Sequence, residues 1–380
     1  MQRRVRAVFV RGGTSRALVF HRRDLPDRRE AWDPIFLAAL GSPDPYGRQL
    51  DGLGGGISSL SKVAVVGPSS RPDADVDYTF GQVEVTRAAV DYRGNCGNIS
   101  SAIGPFAIDE ALLPAREPAT VVRIHNTNTQ KVIHAHVPVE SGQAAVRGDF
   151  ALDGVPGTGA RIALDFLDPG GAVTGRLLPT GRAQDLLEVP ELGPVSASLV
   201  DATNPMVFVR AKDLGLDGTE RPEDLDGRPG LPARLEAIRA AGAVRMGLAR
   251  TPEEASRTST AVPKIAIVAP PAAFRTLAGA IVESDAVDLV ARIVSMGKVH
   301  RAFALTGAMC LAVAARIPGT LPHEAGALAG AAGDVRIGHP SGVLPIASAI
   351  APGRDGAPVA QTVTVYRTAR RLMEGAVLVP

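Results

Sequence analysis

One of only two cysteines in this chain, Cys96, stands in the stretch Arg93-Gly94-Asn95-Cys96-Gly97-Asn98, directly ahead of the apolar run Ile99 to Ile108. The run reads as a buried helix, which puts Cys96 at its amino end. Backbone N–H groups without partners, and the positive end of the helix dipole, favour an anion at that position. A cysteine held there is biased towards thiolate, and the same N–H groups can hold a carboxylate. A thiolate base beside a carboxylate cradle is what moving a proton at a carbon next to a carboxylate requires. A free cysteine is more often an inert core residue, but the polar, glycine-rich flanks of Cys96 weigh against that reading. Cys310, within an apolar run, reads as core.

Other residues could join this chemistry. Lys62 closes Ser58-Ser59-Leu60-Ser61-Lys62, a few residues after Gly54-Gly55-Gly56. By itself it reads as a solvated lysine opening a strand. Buried, it could give and take a proton near neutrality. The three glycines lack the ending of a phosphate loop and do not fit the dinucleotide pattern, so they read as a tight turn. Thr14 and Ser15, after Gly12-Gly13, are carboxylate donors or simply hairpin residues. Asn126 and Asn128 can shape a turn. Lys298 and His300 are a solvated strip or partners for further carboxylates. Thr306-Gly307 opens a second apolar helix and offers backbone N–H groups to an anion. Trp32 reads as packing.

Bulk composition removes several classes of function. Lys and Arg number 41 against 39 Asp and Glu, so no strong field points to nucleic acid or to a membrane surface. Aromatic platforms for bases are absent. No stretch approaches a membrane span, and the amino end lacks the apolar core of a signal peptide. Two distant cysteines make no disulfide framework, which suits a reducing cytoplasm. The histidines form no ligand cluster: His134 and His136 read as a surface pair on one face of a strand. No metal and no cofactor are expected.

The elements that must position these groups are mostly strands. Short β-branched runs bounded by Gly, Pro, Asn or Asp recur, among them Val5–Val10, Ala17–Phe20, Val63–Val66, Val83–Arg87, Val121–Ile124, Val132–Val139, Val207–Arg210, Ile265–Val268 and Thr362–Tyr366. Helices are predicted at Pro34–Leu40, Ser100–Leu112, Pro232–Ala240, Ala286–Ile293 and Gly307–Ala315. The chain also echoes itself. Val8 to Leu25 is matched by Ser198 to Leu214, and Ser61-Lys62-Val63 by Pro263-Lys264-Ile265. The Cys96 turn is matched by Leu305 to Cys310, and Ile124 to Asn128 by Ile337 to Gly342. Four echoes in one order imply two similar halves, each a mostly antiparallel sheet wrapped around a central helix. With two such halves, the two helix amino ends could face each other across a cleft. The boundary falls in the loop-like segment Gly181–Pro194, giving residues 1–184, which carry Lys62 and Cys96, and residues 185–380, which carry the Thr306-Gly307 helix start.

Taken together, Arg11-Gly12-Gly13-Thr14-Ser15, Gly41-Ser42-Pro43-Asp44, Asp51-Gly52-Leu53-Gly54-Gly55, Ser58 to Lys62, Asn95 to Asn98, Asn204-Pro205, Thr306-Gly307-Ala308 and His339-Pro340-Ser341-Gly342 resemble the PrpF-type isomerases. These are a branch of the diaminopimelate-epimerase-like fold, and the likeness runs from about Val8 to Ile346. The resemblance implies an α+β fold of two pseudo-symmetric epimerase-like domains. It also implies a cofactor-independent proton shift in an unsaturated di- or tricarboxylate such as 2-methylaconitate, aconitate or methylitaconate. Cys96 and Lys62 become the acid/base pair by this likeness. Thr14, Ser15, Ser58, Ser61, Gly97, Asn98, Asn128, Asn204, Lys298, His300, Thr306 and Gly307 become the substrate-binding set. Epimerases of the superfamily use two opposed cysteines; the second would fall near Ala304, where no thiol stands, which argues against amino-acid epimerisation. The segments His125 to Lys131 and Gly297 to Ala302 resemble the allylic isomerases more than the tautomerases. The rivals are a 4-oxalomesaconate-type keto–enol tautomerase and a non-catalytic accessory factor of an aconitase-like dehydratase. The partners expected are a small polycarboxylate, a second copy of the chain in a homodimer, and a functional link to such a dehydratase.

Overall fold

Along Lys131–Glu140 the side chains of Ile133, Ala135, Val137 and Val139 are buried, while the residues between them are not. This period of two marks a strand with one face on a core, and strands of this kind build most of the molecule. A computed structural model describes residues 2–92, 94–258, 262–295, 297–328, 334–354 and 356–380. Arg93, which precedes the Cys96 turn, lies outside the described residues. The chain forms two compact units, Met1–Leu167 with Tyr366–Pro380, and Asp168–Val365. The sequence places the division after residue 184 instead. Part of the difference has a plain cause: the C-terminal strand Ala369–Val379 pairs antiparallel with the first strand of the chain from Arg3↔Val379 to Gly12↔Ala369.

The first unit contains β1 (Arg3–Gly12), β2 (Ser15–His21), α1 (Trp32–Leu40), β3 (Lys62–Pro68), β4 (Val76–Val83), α2 (Gly97–Asp109), β5 (Ala119–Asn126), β6 (Lys131–Glu140) and β7 (Ile162–Leu167). Its pairings run β1–β2 antiparallel, β2–β3 parallel, β3–β4 antiparallel, β4–β5 parallel, then β5–β6 and β6–β7 antiparallel. The strands curl around α2, which packs on β1, β2, β3, β5, β6, β7 and the C-terminal strand. Ile99, Ile103 and Ala107 of α2 are fully buried, and each isoleucine contributes about 1.5–3 kcal/mol by leaving water. On the other side of the sheet α1 buries Trp32, Ile35 and Phe36 against Leu18, Phe20, Val63 and Val65. The Trp32 indole N–H donates to the Pro26 carbonyl at 2.8 Å. The helix stops at Gly41, whose φ of 74° suits a left-handed cap.

The second unit contains β8 (Gly193–Ala202), β9 (Asn204–Arg210), α3 (Leu231–Arg245), β10 (Lys264–Ala269), β11 (Leu289–Ser295), α4 (Leu305–Ala314), β12 (Asp334–His339) and β13 (Gly342–Pro352). Its pairings follow the same succession: β8–β9 antiparallel, β9–β10 parallel, β10–β11 antiparallel, β11–β12 parallel, β12–β13 antiparallel, then β13 antiparallel to the strand Pro358–Arg367. The central helix α4 packs on β8, β9, β12 and β13. The repeat extends to an ion pair. Arg123 meets Asp75 at 2.6 Å and Arg336 meets Asp288 at 2.6 Å, the partners 48 positions apart in both cases.

Two predicted elements differ. Ala286–Ile293, expected as a helix, is a one-turn 3-10 segment Ser284–Ala286 followed by β11. Leu289, Val290, Ala291 and Ile293 are all fully buried, because β11 lies between β10 and β12. A strand covered on both faces reads as a continuous apolar run, which periodicity cannot tell from a buried helix. The strand expected over Val83–Arg87 ends at Val83, and the chain turns after it, the Glu84 N–H bonding the Ala89 carbonyl at 3.0 Å. No helix among the described residues is long and apolar enough to cross a membrane.

Candidate active site at the amino end of the first central helix

Cys96 is the residue that caps α2 at its amino end, with extended backbone and a half-buried side chain. Its carbonyl begins the helix by accepting from the Ser100 N–H at 2.9 Å and from the Ser100 hydroxyl at 3.1 Å. The Cys96 side chain makes no capping bond. The N–H groups of Gly97, Asn98 and Ile99 therefore have no partner within the helix, and the sulfur is not tied to them. Upstream, Asn95 Oδ1 accepts from Ser100 Oγ and from Asn126 Nδ2, each at 3.2 Å, which ties the turn to the end of β5.

The β1–β2 hairpin packs directly on this helix end. A Cβ on Gly12 would stand 2.4 Å from the Asn98 carbonyl oxygen, and one on Gly13 would stand 2.2 Å from Asn98 Oδ1. Gly13 also has φ of +51°, so glycine alone suits the position. Thr14 at the tip accepts from Asn98 Nδ2 at 3.0 Å. Asn98 Oδ1 in turn accepts from Arg367 Nε at 3.0 Å. Ser15 opens β2 and is 3% exposed.

Lys62 opens β3 and is 7% exposed. Its ammonium donates to Gln82 Oε1 at 2.5 Å and lies 5.2 Å from the centre of the Phe80 ring. Gln82 is held by its own amide, which donates to the carbonyls of Ser61 at 2.8 Å and Ser58 at 3.1 Å. The one-turn helix Ser58–Leu60 thus orients the acceptor on the lysine. Tyr78, Phe80 and Gln82 alternate along β4 and share one face. Tyr78 at the far end of that row is fully buried. Burial first, and then the charge of neighbouring Cys96, push its phenol well above the ordinary range. Tyr78 therefore stays protonated and can act only as a donor towards an anion. Lys62 and its partner Gln82 face each other across the β3–β4 pairing, and Tyr78 lies further along β4.

Several residues named from the sequence are fully engaged elsewhere. Ser61 is wholly buried, its hydroxyl accepting from Gln49 Nε2 at 2.7 Å and donating to the Val83 carbonyl at 2.8 Å. Asn128 bonds both backbone groups of Phe80 at 2.8 Å and donates to the Tyr92 carbonyl at 2.6 Å. It fixes the edge of β4, the strand that carries Phe80 and Gln82, and has little left for a ligand.

In the second unit Asn204 Nδ2 donates to the Pro205 carbonyl at 2.9 Å. Lys298 is 78% exposed, its nitrogen 3.9 Å from Asp226. His300 Nδ1 accepts from the Ala302 N–H at 3.1 Å. Thr306 and Gly307 form the first turn of α4, whose cap is Ala304. The Thr306 carbonyl accepts from Thr203 Oγ1 at 2.9 Å, and a Cβ on Gly307 would stand 2.5 Å from Ile293 Cδ1. Cys310 is fully buried, its thiol donating to the Val200 carbonyl at 3.4 Å. Burial pushes that thiol well up, so it is inert.

Three residues beside Lys62 or near Cys96 carry no mark in the sequence: Gln82, Tyr78 and Arg367. Arg367 is 269 residues from its partner Asn98, and no local pattern could have joined them. Lys264, which opens β10 as Lys62 opens β3, was visible as one of the echoes. Burial brings its ammonium down to about 8.

The sequence profile of the family described as PrpF protein matches residues 2–380. A 3-methylitaconate isomerase of Eubacterium barkeri is 47% identical over all of this chain and 98% of its own length. A 2-methyl-aconitate isomerase of Shewanella oneidensis is 43% identical over all of this chain and 98% of its own length. Among solved structures, a methylitaconate-delta-isomerase superposes with a TM-score of 0.91 at 47% identity, covering all of this chain and 96% of that one. A probable proline racemase from Agrobacterium radiobacter superposes with a TM-score of 0.52 at 12% identity, covering 98% of this chain and 92% of that one. At that identity the likeness speaks for the fold alone.

Proposed function

The chain belongs to the PrpF family, and we propose from this that it is a cofactor-independent isomerase of unsaturated di- or tricarboxylates. The reaction is a 1,3-shift of an allylic proton. Thiolate Cys96 takes the proton from the allylic carbon and becomes a thiol. The electron pair left behind spreads over the double bond and the adjoining carboxylate as a dienolate. The Lys62 ammonium returns a proton to the far end of the allylic system and becomes an amine. Transfer of the proton from thiol to amine, directly or through solvent, restores both groups, and nothing is oxidised or reduced.

The observation that supports this reading is a helix end whose N–H groups the Cys96 side chain leaves uncapped, in the same unit as the buried ammonium of Lys62 held by Gln82. Free N–H groups at the helix end offset the negative charge of the dienolate. The 3-methylitaconate and 2-methyl-aconitate isomerases at 47% and 43% identity favour those acids and their aconitate analogues as substrates. The same reading carries a cytoplasmic homodimer with a functional link to an aconitase-like dehydratase, to be sought by sedimentation and co-purification.

Incubation with each candidate acid in deuterated water should place deuterium at the allylic carbon. Cys96→Ala and Lys62→Met should each lower turnover by about 10²–10⁴-fold, the usual worth of a positioned acid or base, with the far-ultraviolet circular dichroism unchanged. Folded wild-type protein that labels none of the acids, or a Cys96→Ala variant with full activity, overturns the reading. Substituting Lys298, His300 or Thr306 tests each of these residues in the same way: an unchanged affinity removes it from the substrate-binding set.

A further inference from the structure

Arg367 ends the strand Pro358–Arg367 and is 5% exposed. Its Nε donates to Asn98 Oδ1 at 3.0 Å and its Nη1 to the Tyr366 carbonyl at 2.7 Å. Both acceptors are neutral. No carboxylate among the described residues pairs with it, and Nη2 makes no hydrogen bond to them. Burial lowers this guanidinium to about 10, with the charge of Cys96 pulling it back up, so it is a cation at neutral pH. An unpaired buried cation is heavily penalised, and proteins retain one where an anion comes to meet it. The surroundings say where that anion would sit. Asn98 lies in the first turn of α2, and its side chain is clamped between Thr14 and Arg367. The guanidinium thus lies against the first turn of α2, whose N–H groups the Cys96 side chain leaves free. A planar fork of N–H donors beside backbone N–H groups matches a carboxylate rather than a spherical anion.

We propose that Arg367 binds a carboxylate of the substrate at the amino end of α2, beside the Cys96 sulfur. The inference deepens the isomerase reading and takes its ligand class from it. It makes Arg367 a binding residue that holds the acid with its allylic carbon within reach of the sulfur.

Isothermal titration with tricarballylate tests this directly, because that saturated tricarboxylate has no double bond to move. Wild-type protein should bind it. Arg367→Gln should weaken binding by about tenfold or more. Arg367→Lys, which keeps the charge and loses the fork, should weaken it several-fold. A folded Arg367→Gln variant with wild-type affinity overturns the proposal, and so does wild-type protein that does not bind tricarballylate. Should Arg367→Gln fail to fold, Arg367→Lys decides, since undiminished affinity there removes the fork from the site. The two readings fail separately. Binding that depends on Arg367 without deuterium exchange sinks the isomerase and leaves the carboxylate site. Exchange with an Arg367-independent affinity does the reverse.

Discussion

A lysine that heads a strand is cheaply placed only while its ammonium reaches water. Lys264 meets that condition only in part: the residue is half-buried, and burial brings its ammonium from 10.5 down to about 8. The direction of the linkage follows. Below about pH 8 the group is charged in both folded and unfolded chains, and the folded state bears the desolvation. Between about 8 and 10.5 the folded chain has released the proton and the unfolded chain still binds it, so stability rises with pH through that window. Lys264→Met should therefore be more stable than wild type at pH 7, by about 1–2 kcal/mol, with the advantage shrinking towards pH 10.5. Urea unfolding of both proteins at several pH values checks this, and a difference that does not change with pH would remove burial as its cause. Lys264 was legible from the sequence because it repeats the setting of Lys62, and Cys96 because glycine and asparagine flank it ahead of an apolar run. Gln82, Tyr78 and Arg367 carry no such mark. Each matters through what a distant strand brings beside it: Lys62 from β3, Cys96 from the helix turn, and Asn98 from 269 residues away.

At the scale of elements, α2 approaches the sheet closely enough that one residue must lack a side chain. A Cβ on Gly104 would stand 2.7 Å from Val137 Cγ2 and 3.1 Å from Ala135 Cβ on β6. Val137 is fully buried and β-branched, so it cannot turn aside cheaply. Gly104→Ala gains about 1 kcal/mol of helix propensity but overpacks this contact, at about 1–3 kcal/mol. The expected net loss is up to about 2 kcal/mol, with α2 pushed off the sheet and Cys96 displaced along with it. Adding Val137→Ala should recover part of that loss, so the double variant is more stable than the two single losses added together. Chemical denaturation measures all three, and strict additivity would show that the two residues do not meet. The sequence located this helix but set it at Ser100–Leu112, whereas it runs Gly97–Asp109. Gly97 and Asn98 look like turn residues, yet a first helical turn accepts both. Leu112 looks like core, but the chain leaves the helix at Glu110. The same limit made Ala286–Ile293 read as a helix where the strand Leu289–Ser295 runs: burial on both faces hides the alternation that identifies a strand.

At the scale of the molecule, the two units share a succession of strand pairings and an ion pair at matched positions, but they differ at the helix ends, where one carries Cys96 and the other Ala304. The echoes in the sequence made the repeat legible. They did not reveal that the first unit is discontinuous, because the return of the C-terminal strand is a pairing across nearly the full length of the chain. That return is structurally demanding. β1 pairs on one side with β2 and on the other with Ala369–Val379, from Arg3 to Gly12. Val377 and Val379 belong to the same core as Val5, Ala7, Trp32 and Phe36. Residues 1–167 alone would leave β1 as a bare edge beside an uncovered core, and Arg367 would be missing from the Cys96 site. Such a fragment should be aggregation-prone and lack a cooperative unfolding transition. Joining residue 167 to residues 366–380 through a flexible Gly/Ser linker should restore the missing strand, a cooperative thermal transition and the dispersed amide spectrum of a folded domain. If residues 1–167 fold cooperatively by themselves, or if the joined chain does not, the C-terminal strand is not what completes the first unit.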